Sequence, residues 1–193
     1  MSSYNKKTHI VFLDLPDQIS QKIDLMREKY SNSGLSYKAH LTLKQDEDFL
    51  ISDKKIVEIV SDVLSNQESI RLTISQASYN ENKTGWNIFL PVRSKIIVKL
   101  VSDLSKALEP YIDPDSPRSF LSTKWEQSDK FYPHISIKGT AKKSDFKKIF
   151  REIKKSRFNL GYPVKVTCSQ VTIAKWNRDK WEKIITITLK NVK

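Results

Sequence analysis

Apolar and polar positions alternate in two short stretches that follow one template. His40-Leu41-Thr42-Leu43-Lys44 and His134-Ile135-Ser136-Ile137-Lys138 both read histidine, aliphatic, hydroxyl, aliphatic, lysine. A period of two is that of a half-buried strand. Successive side chains on a strand point to opposite faces. Leu41 and Leu43 are therefore expected on the core face, with His40 and Thr42 together on the other. Ile135 and Ile137 repeat this, leaving His134 and Ser136 side by side.

Around these strands the hydrophobic pattern divides the chain into two similar runs. Thr8 to Leu15 is apolar and β-branched, a buried strand. Pro16-Asp17 opens a helix, since proline suits a first turn and aspartate suits the positive end of the helix dipole. Ile19, Ile23, Met26 and Tyr30 give that helix one apolar stripe, and Asn32-Ser33-Gly34 ends it. The first histidine strand follows over about Ser36 to Lys44. Ser52 caps a second helix carrying Ile56, Ile59, Val60, Val63 and Leu64. Ile70 to Ala77 reads as a strand and Asn80 to Gly85 as a turn.

The order then starts again. Trp86 to Val92 is a strand, and a helix from about Ser94 carries Ile97, Leu100, Val101, Leu104 and Leu108. Glu109 to Arg118 holds three prolines and is a loop. Phe131 to Lys138 is the second histidine strand. Ser144 caps a helix bearing Phe146, Ile149, Phe150 and Ile153. Val164 to Ala174 and Lys183 to Leu189 close the chain as strands, with Asn177-Arg178-Asp179 turning between them. Each half thus reads β-α-β-α-β with the histidine strand second. The two motifs lie about half the chain apart, too far for a small solenoid repeat but right for a duplicated lobe. The expectation is an α+β fold: one domain over 1–193, with pseudo-symmetric lobes at about 1–83 and 84–193 around a central cleft.

Composition narrows the class. The chain has 193 residues, 38% hydrophobic and 10% aromatic, enough for a sizeable core. Its formal net charge of +12 suits anionic partners, RNA or nucleotides above all, but a solvated lysine-rich surface accounts for it equally well. The run Lys138 to Arg157 leaves the same choice open: a solvated helix face, or a guide for RNA toward the cleft. Cys168 is the single cysteine, so no disulfide forms within these residues, and its apolar setting predicts a core position. No apolar stretch approaches the ~20 residues of a membrane span. Met1 to Lys7 lacks an apolar signal segment. A soluble monomer is expected, cytoplasmic with a nuclear placement left open, and with no membrane partner.

Two imidazoles facing one groove make an acid–base pair. With an ordinary pKa of about 6.5, one can be neutral and take a proton while the other is charged and gives one. Thr42 and Ser136 can donate hydrogen bonds to phosphate oxygens. Parity places Lys38 and Lys44 beside the first motif, and Tyr132 and Lys138 beside the second, as candidate substrate contacts. A lysine there attracts phosphate or is simply solvated. Tyr132 stacks on a base or packs at the strand edge. His9 is expected to be structural or at the surface. Trp86, Trp176 and Trp181 are expected to pack in the core or between lobes, with Trp125 the least comfortable there. The three histidines are far apart, no HxH or CxxC occurs, and only four glycines are present, so neither a metal site, a cofactor nor a glycine-rich phosphate loop is expected.

The motif pair carries a resemblance. A pair of H-x-[ST]-x motifs, each followed by an apolar residue, one per lobe, is the mark of the 2H phosphoesterase superfamily, which includes 2′-5′ RNA ligase-like proteins and cyclic phosphodiesterases. Here the motifs stand as His40-Leu41-Thr42-Leu43 and His134-Ile135-Ser136-Ile137, and Pro133 before the second is also family-like. Ala39 replaces a frequent proline and Ser136 a commoner threonine; both hydroxyls survive. The resemblance implies His40 and His134 as catalytic residues, with Thr42 and Ser136 binding phosphate. It implies a metal-independent phosphodiesterase acting on RNA or oligonucleotide 2′,3′-cyclic phosphates or 2′-5′ linkages. Two alternatives stay open: a non-catalytic RNA-binding module with a basic cleft, and a ligase running the same chemistry in reverse.

Overall fold

Thr8–Asp14 forms strand β1, and all seven of its residues are buried, as its unbroken apolar run requires. The structure, a computed structural model, describes residues 8–30, 37–82, 85–116, 126–127, 131–141, 143–155 and 163–191. The elements that follow are α1 (Asp17–Tyr30), β2 (His40–Asp48), α2 (Asp53–Leu64), β3 (Ile70–Ile74), β4 (Ser78–Asn82), β5 (Gly85–Arg93), α3 (Lys95–Leu108) and a 3₁₀ turn at Glu109–Tyr111. Then come β6 (His134–Ala141), α4 (Lys143–Lys155), β7 (Val164–Cys168), β8 (Gln170–Asn177) and β9 (Lys180–Thr188).

Local chemistry sets these boundaries. The amides of Ile19 and Ser20 donate to the Pro16 carbonyl at 2.8 and 3.0 Å, which starts α1 where proline ends the strand. Ser52 caps α2, its hydroxyl accepting from the Lys55 amide at 3.3 Å. Ile56, Val60 and Leu64 are buried along α2, and Ile97, Leu100, Val101, Leu104 and Leu108 along α3. Helix α4 begins at Lys143, so Ser144, expected as its cap, lies in the first turn.

The strands form two antiparallel sheets. One runs β2-β1-β8-β9; the other runs β4-β5-β3-β7, with β6 on β5. The hairpin-like pairs β1–β2 and β5–β6 repeat each other residue by residue. Phe12, Leu13 and Asp14 lie opposite Thr42, Leu41 and His40. Phe89, Leu90 and Pro91 lie opposite Ser136, Ile135 and His134. Both pairs slip register at the same two places, once just past the motif hydroxyl and once just past the motif lysine. The duplication expected from the sequence is thus present down to its irregularities.

Its boundary differs from the expected one. The sheets do not divide the chain near residue 83, because the halves exchange strands. β3 and β4 of the first half lie in the second sheet beside β5, and β8 and β9 of the second half lie in the first sheet beside β1. The strand expected over Val164 to Ala174 is two strands, broken at Ser169, where the chain crosses from one sheet to the other. The turn expected over Asn80 to Gly85 is largely β4, whose polar residues gain order by pairing with β5 from Ser78–Phe89 to Asn82–Gly85. Gly85, at φ 144°, supplies backbone freedom at that corner. β2 starts at His40, later than expected, and runs on to Asp48. One continuous core joins both sheets, with Leu13, Leu41, Ile70, Leu90, Ile135 and Val171 in the same cluster.

Candidate active site

The motif strands present their residues as the alternation predicts. Leu41, Leu43 and Ile135 are fully buried and Ile137 nearly so, while His40, Thr42 and His134 are half-buried and Ser136 is exposed. Each histidine is held in the same way. His40 Nδ1 lies 2.8 Å from the Lys38 carbonyl, and His134 Nδ1 lies 3.1 Å from the Tyr132 carbonyl, two residues back in each case. A carbonyl only accepts, so both Nδ1 atoms carry hydrogen, and Nε2 is left as the basic nitrogen of each neutral ring. The rings are also wedged alike. His40 packs on Phe12 with centroids 4.5 Å apart, and His134 on Phe89 at 5.2 Å, each phenylalanine coming from the strand opposite the motif hydroxyl. A tyrosine closes each set, Tyr37 at 6.2 Å from His40 and Tyr132 at 5.4 Å from His134.

Burial disfavours charge on both imidazoles. It holds His40 down to about 4, with the bond to the Lys38 carbonyl working against it. It also lowers His134, again opposed by its carbonyl bond. Burial therefore favours the neutral form of both rings, and an anion bound beside them favours returning a proton to one.

Thr42, His134 and Ser136 line one cavity of about 290 Å³, together with Gln45 and Glu126. His134, Ser136 and Gln45 also line a second cavity of about 500 Å³, which continues past Tyr132 and Lys138. His40 lines neither; it sits two residues along β2 from Thr42, on the same face. The structure thus brings Thr42, Ser136, His134, Tyr132 and Lys138 onto one two-chambered groove, with His40 adjoining it.

The two remaining lysines are placed otherwise. Alternation predicts Lys44 on the groove face, but Lys44 turns inward to two buried carboxylates. It is fully buried, with Nζ 2.9 Å from Glu126 and 3.4 Å from Glu47. Lys138, its counterpart in the second motif, keeps to the cavity wall. Lys38 is partly exposed and paired with Asp14 at 3.3 Å and Asp17 at 3.8 Å. Asp14 itself is buried opposite His40 and accepts from Thr172 at 2.6 Å.

Four wall residues are invisible to pattern reading. Glu126 stands in a polar stretch without periodicity; Asn80 falls in the expected turn; Gln45 lies just past the repeated motif, and Asn87 has no motif around it. Glu126 ties β2 to α3: one oxygen accepts from the Gln45 amide at 2.6 Å, the other from Ser105 on α3 at 2.5 Å and from Lys44.

Outside the groove, His9 is structural: it is buried, and its Nε2 lies 3.0 Å from Asp53, whose other oxygen takes Lys175 at 2.8 Å. Cys168 is buried, and burial pushes its thiol up to about 12. Trp86 stacks on Phe146 at 4.5 Å, and Trp176 meets Trp181 at 5.2 Å; Trp125 lies outside the described residues. On α4, Lys147, Lys148, Arg151, Lys154 and Lys155 reach the surface. Among the described residues no helix is long and apolar enough to cross a membrane.

Comparison with known proteins bears on the family and the fold. Residues 15–180 match the model of the 2′-5′ RNA ligase superfamily. No curated protein matches the chain. Among solved structures, E. coli LigT complexed with 3′-AMP superposes with a TM-score of 0.63 at 15% identity, covering 96% of this chain and 99% of that one. LigT complexed with phosphate gives a TM-score of 0.58 at 16% identity, covering 96% and 98%. TT0787 of Thermus thermophilus gives 0.62 at 11% identity, covering 95% and 98%. At these identities the likeness is one of fold, while the family match spans most of the chain and takes in both histidine motifs: the protein belongs to the 2′-5′ RNA ligase superfamily, the 2H phosphoesterases.

Proposed function

We propose that the protein is a metal-independent phosphodiesterase that uses His40 and His134 as its acid–base pair. Its substrates are RNA or oligonucleotides bearing a 2′,3′-cyclic phosphate or a 2′-5′ linkage. The observation that carries this reading is the matched pair of Nδ1–carbonyl bonds, to Lys38 and to Tyr132. A histidine kept only for packing needs no particular tautomer, whereas two histidines that move protons through Nε2 need both rings set alike.

The phosphate sits between Thr42 and Ser136, whose hydroxyls donate to its non-bridging oxygens. The neutral histidine takes a proton through Nε2 from water or a ribose hydroxyl as that oxygen attacks phosphorus. The other, protonated once the phosphate anion is beside it, gives its proton to the leaving oxygen. Each turnover leaves the pair with its proton moved from one ring to the other, so water restores the starting state. Hydroxyl donors aimed at the developing charge stabilise it in the transition state. Lys138 and Tyr132 are the candidate contacts to the rest of the substrate; LigT, of like fold, has been crystallised with 3′-AMP and with phosphate, ligands of the kind proposed here.

The test is a screen of 2′,3′-cyclic mononucleotides and of 2′-5′ and 3′-5′ oligonucleotides, with products resolved by isomer, for the wild type and for H40A and H134A. Turnover by the wild type, lost in both variants while the fold is kept, is expected. Wild-type rates in either variant would leave the RNA-binding module as the better description.

A further inference from the structure

The two motif histidines are set by the same bond, but the carbonyl that makes it is aimed differently in each motif. Before His134 stands Pro133, buried, with its own carbonyl accepting from the Val92 amide at 2.9 Å. A proline restricts the residue before it to extended conformations, which aims the Tyr132 carbonyl. The Tyr132 side chain is held as well, its hydroxyl accepting from Asn80 Nδ2 at 2.7 Å. Before His40 stands Ala39, which places no such limit on Lys38. The Lys38 carbonyl needs another restraint.

Helix α1 supplies one. Asp24 and Arg27 lie three residues apart on it and pair at 2.6 Å, with side chains only 17% and 14% exposed. The Arg27 Nη1 that donates to Asp24 Oδ1 also donates to the Tyr37 carbonyl at 3.0 Å. The other Asp24 oxygen accepts from the Ala39 amide at 3.1 Å. That amide and the Lys38 carbonyl belong to one peptide plane, and in a trans peptide they point opposite ways. Holding the N–H toward α1 therefore aims the carbonyl away from it, where it meets His40 Nδ1 at 2.8 Å. A proline at 39 would have no N–H for Asp24 to accept from. The contacts are charge-assisted, the stronger kind of hydrogen bond, and the neighbouring Ile23 and Met26 are buried and fix this part of α1.

We infer that Asp24 and Arg27 are positioning residues for His40. They clamp the segment Tyr37–Ala39, so that the Lys38 carbonyl keeps hydrogen on Nδ1 and leaves Nε2 basic. The pair does for the first motif what Pro133 does for the second. The inference rests on the phosphodiesterase reading for the task it gives His40, while the state of the ring can be read without turnover.

The experiment follows the imidazole nitrogens by NMR, with His134 as internal control, in the wild type, D24A, R27A and the double variant D24A/A39P, alongside thermal melts and steady-state kinetics. Wild-type His40 is expected as the Nδ1–H form. D24A and R27A should mix in the Nε2–H form at His40 alone and lower kcat by up to about 10²-fold, with a smaller change in KM. D24A/A39P should restore the Nδ1–H form and most of kcat, since the proline ring takes the place of the lost carboxylate. If D24A or R27A does not fold, D24N or R27K takes its place, with a smaller shift in the same direction. An Nε2–H form in the wild type overturns the inference without any variant. So does an unchanged His40 in both single variants, even with lowered melting temperatures, which would make the pair a tether for the fold only. A folded D24A/A39P that keeps the mixture of D24A also rejects it. If the wild type turns over no phosphodiester, the functional reading falls, and the spectra still judge the clamp.

Discussion

Lys44 meets two buried carboxylates, and their surroundings predict opposite results when each is neutralised. Glu126 accepts from Lys44, from the Gln45 amide and from Ser105, all within 2.9 Å. Glu47 touches Lys44 only at 3.4 Å, and its second oxygen is buried without a partner. Burial accordingly lifts the Glu47 carboxyl from 4.5 to about 7, with Lys44 opposing the rise. Holding a proton that much more tightly is worth about 3 kcal/mol. Between pH 4.5 and 7 the folded protein binds more protons at Glu47 than the unfolded chain does, so this contribution to stability is present below 4.5 and lost as pH rises through 7. E47Q removes the loss. Its unfolding free energy relative to wild type should therefore climb by about 3 kcal/mol from about pH 4.5 to about pH 8. E126Q should instead cost about 3–5 kcal/mol at about pH 8, because it strips the better partner from a buried ammonium. Urea titrations followed by tryptophan fluorescence at several pH values measure both. Parallel pH curves for E47Q and wild type, or an E126Q protein within about 1 kcal/mol of wild type, would refute the assignment of unequal roles.

The other expected outcomes concern catalysis. H40A and H134A should each lower kcat by about 10²- to 10⁴-fold, with the double variant scarcely worse than either; additive losses would show that the two do not act as a unit. T42A and S136A should cost about 10²-fold, in kcat more than in KM, and a pure KM effect in steady-state kinetics would remove them from the transition state. Because burial lowers both histidines, the neutral partner is available above about 4 while the charged partner is scarce above 6.5, so kcat/KM should peak between those values and fall toward neutrality; a maximum above about pH 7 contradicts this. Activity should survive excess EDTA, and loss restored by a divalent ion would return metal chemistry to the site.

The sequence made the motif strands, the four helices and the duplication legible, because each rests on local periodicity that survives into the fold. Leu41 and Ile135 sit where alternation put them, and Ser52 caps where its position suggested. Alternation failed at Lys44, which turns inward although Lys138, after the matching register slip, stays on the cavity wall. It could not have shown this: Lys44 and Lys138 occupy identical contexts in sequence, and only the carboxylates waiting under one of them distinguish their fates. The crossing between β7 and β8 at Ser169 was hidden because no proline or glycine marks a break between Val164 and Ala174. Glu126, Asn80 and Asn87 escaped because their roles depend on partners distant in sequence, and a lone polar residue in a polar stretch carries no sign of what it will meet.

The exchange of strands between halves bears on how the protein is made. β1 and β2, with His40, leave the ribosome early, yet the edge of β1 stays bare until β8 is synthesised about 160 residues later. An uncovered edge invites pairing with the wrong strand. Residues 1–83 alone would lack β8 and β9, and residues 84–193 alone would lack β3 and β4, so neither piece holds a finished sheet. The duplicated lobes are therefore not separable modules. The nascent chain must wait for β8 before β1, the partner of the first motif strand, has both edges covered, and removing β8 and β9 should damage the first motif although it lies far away in sequence.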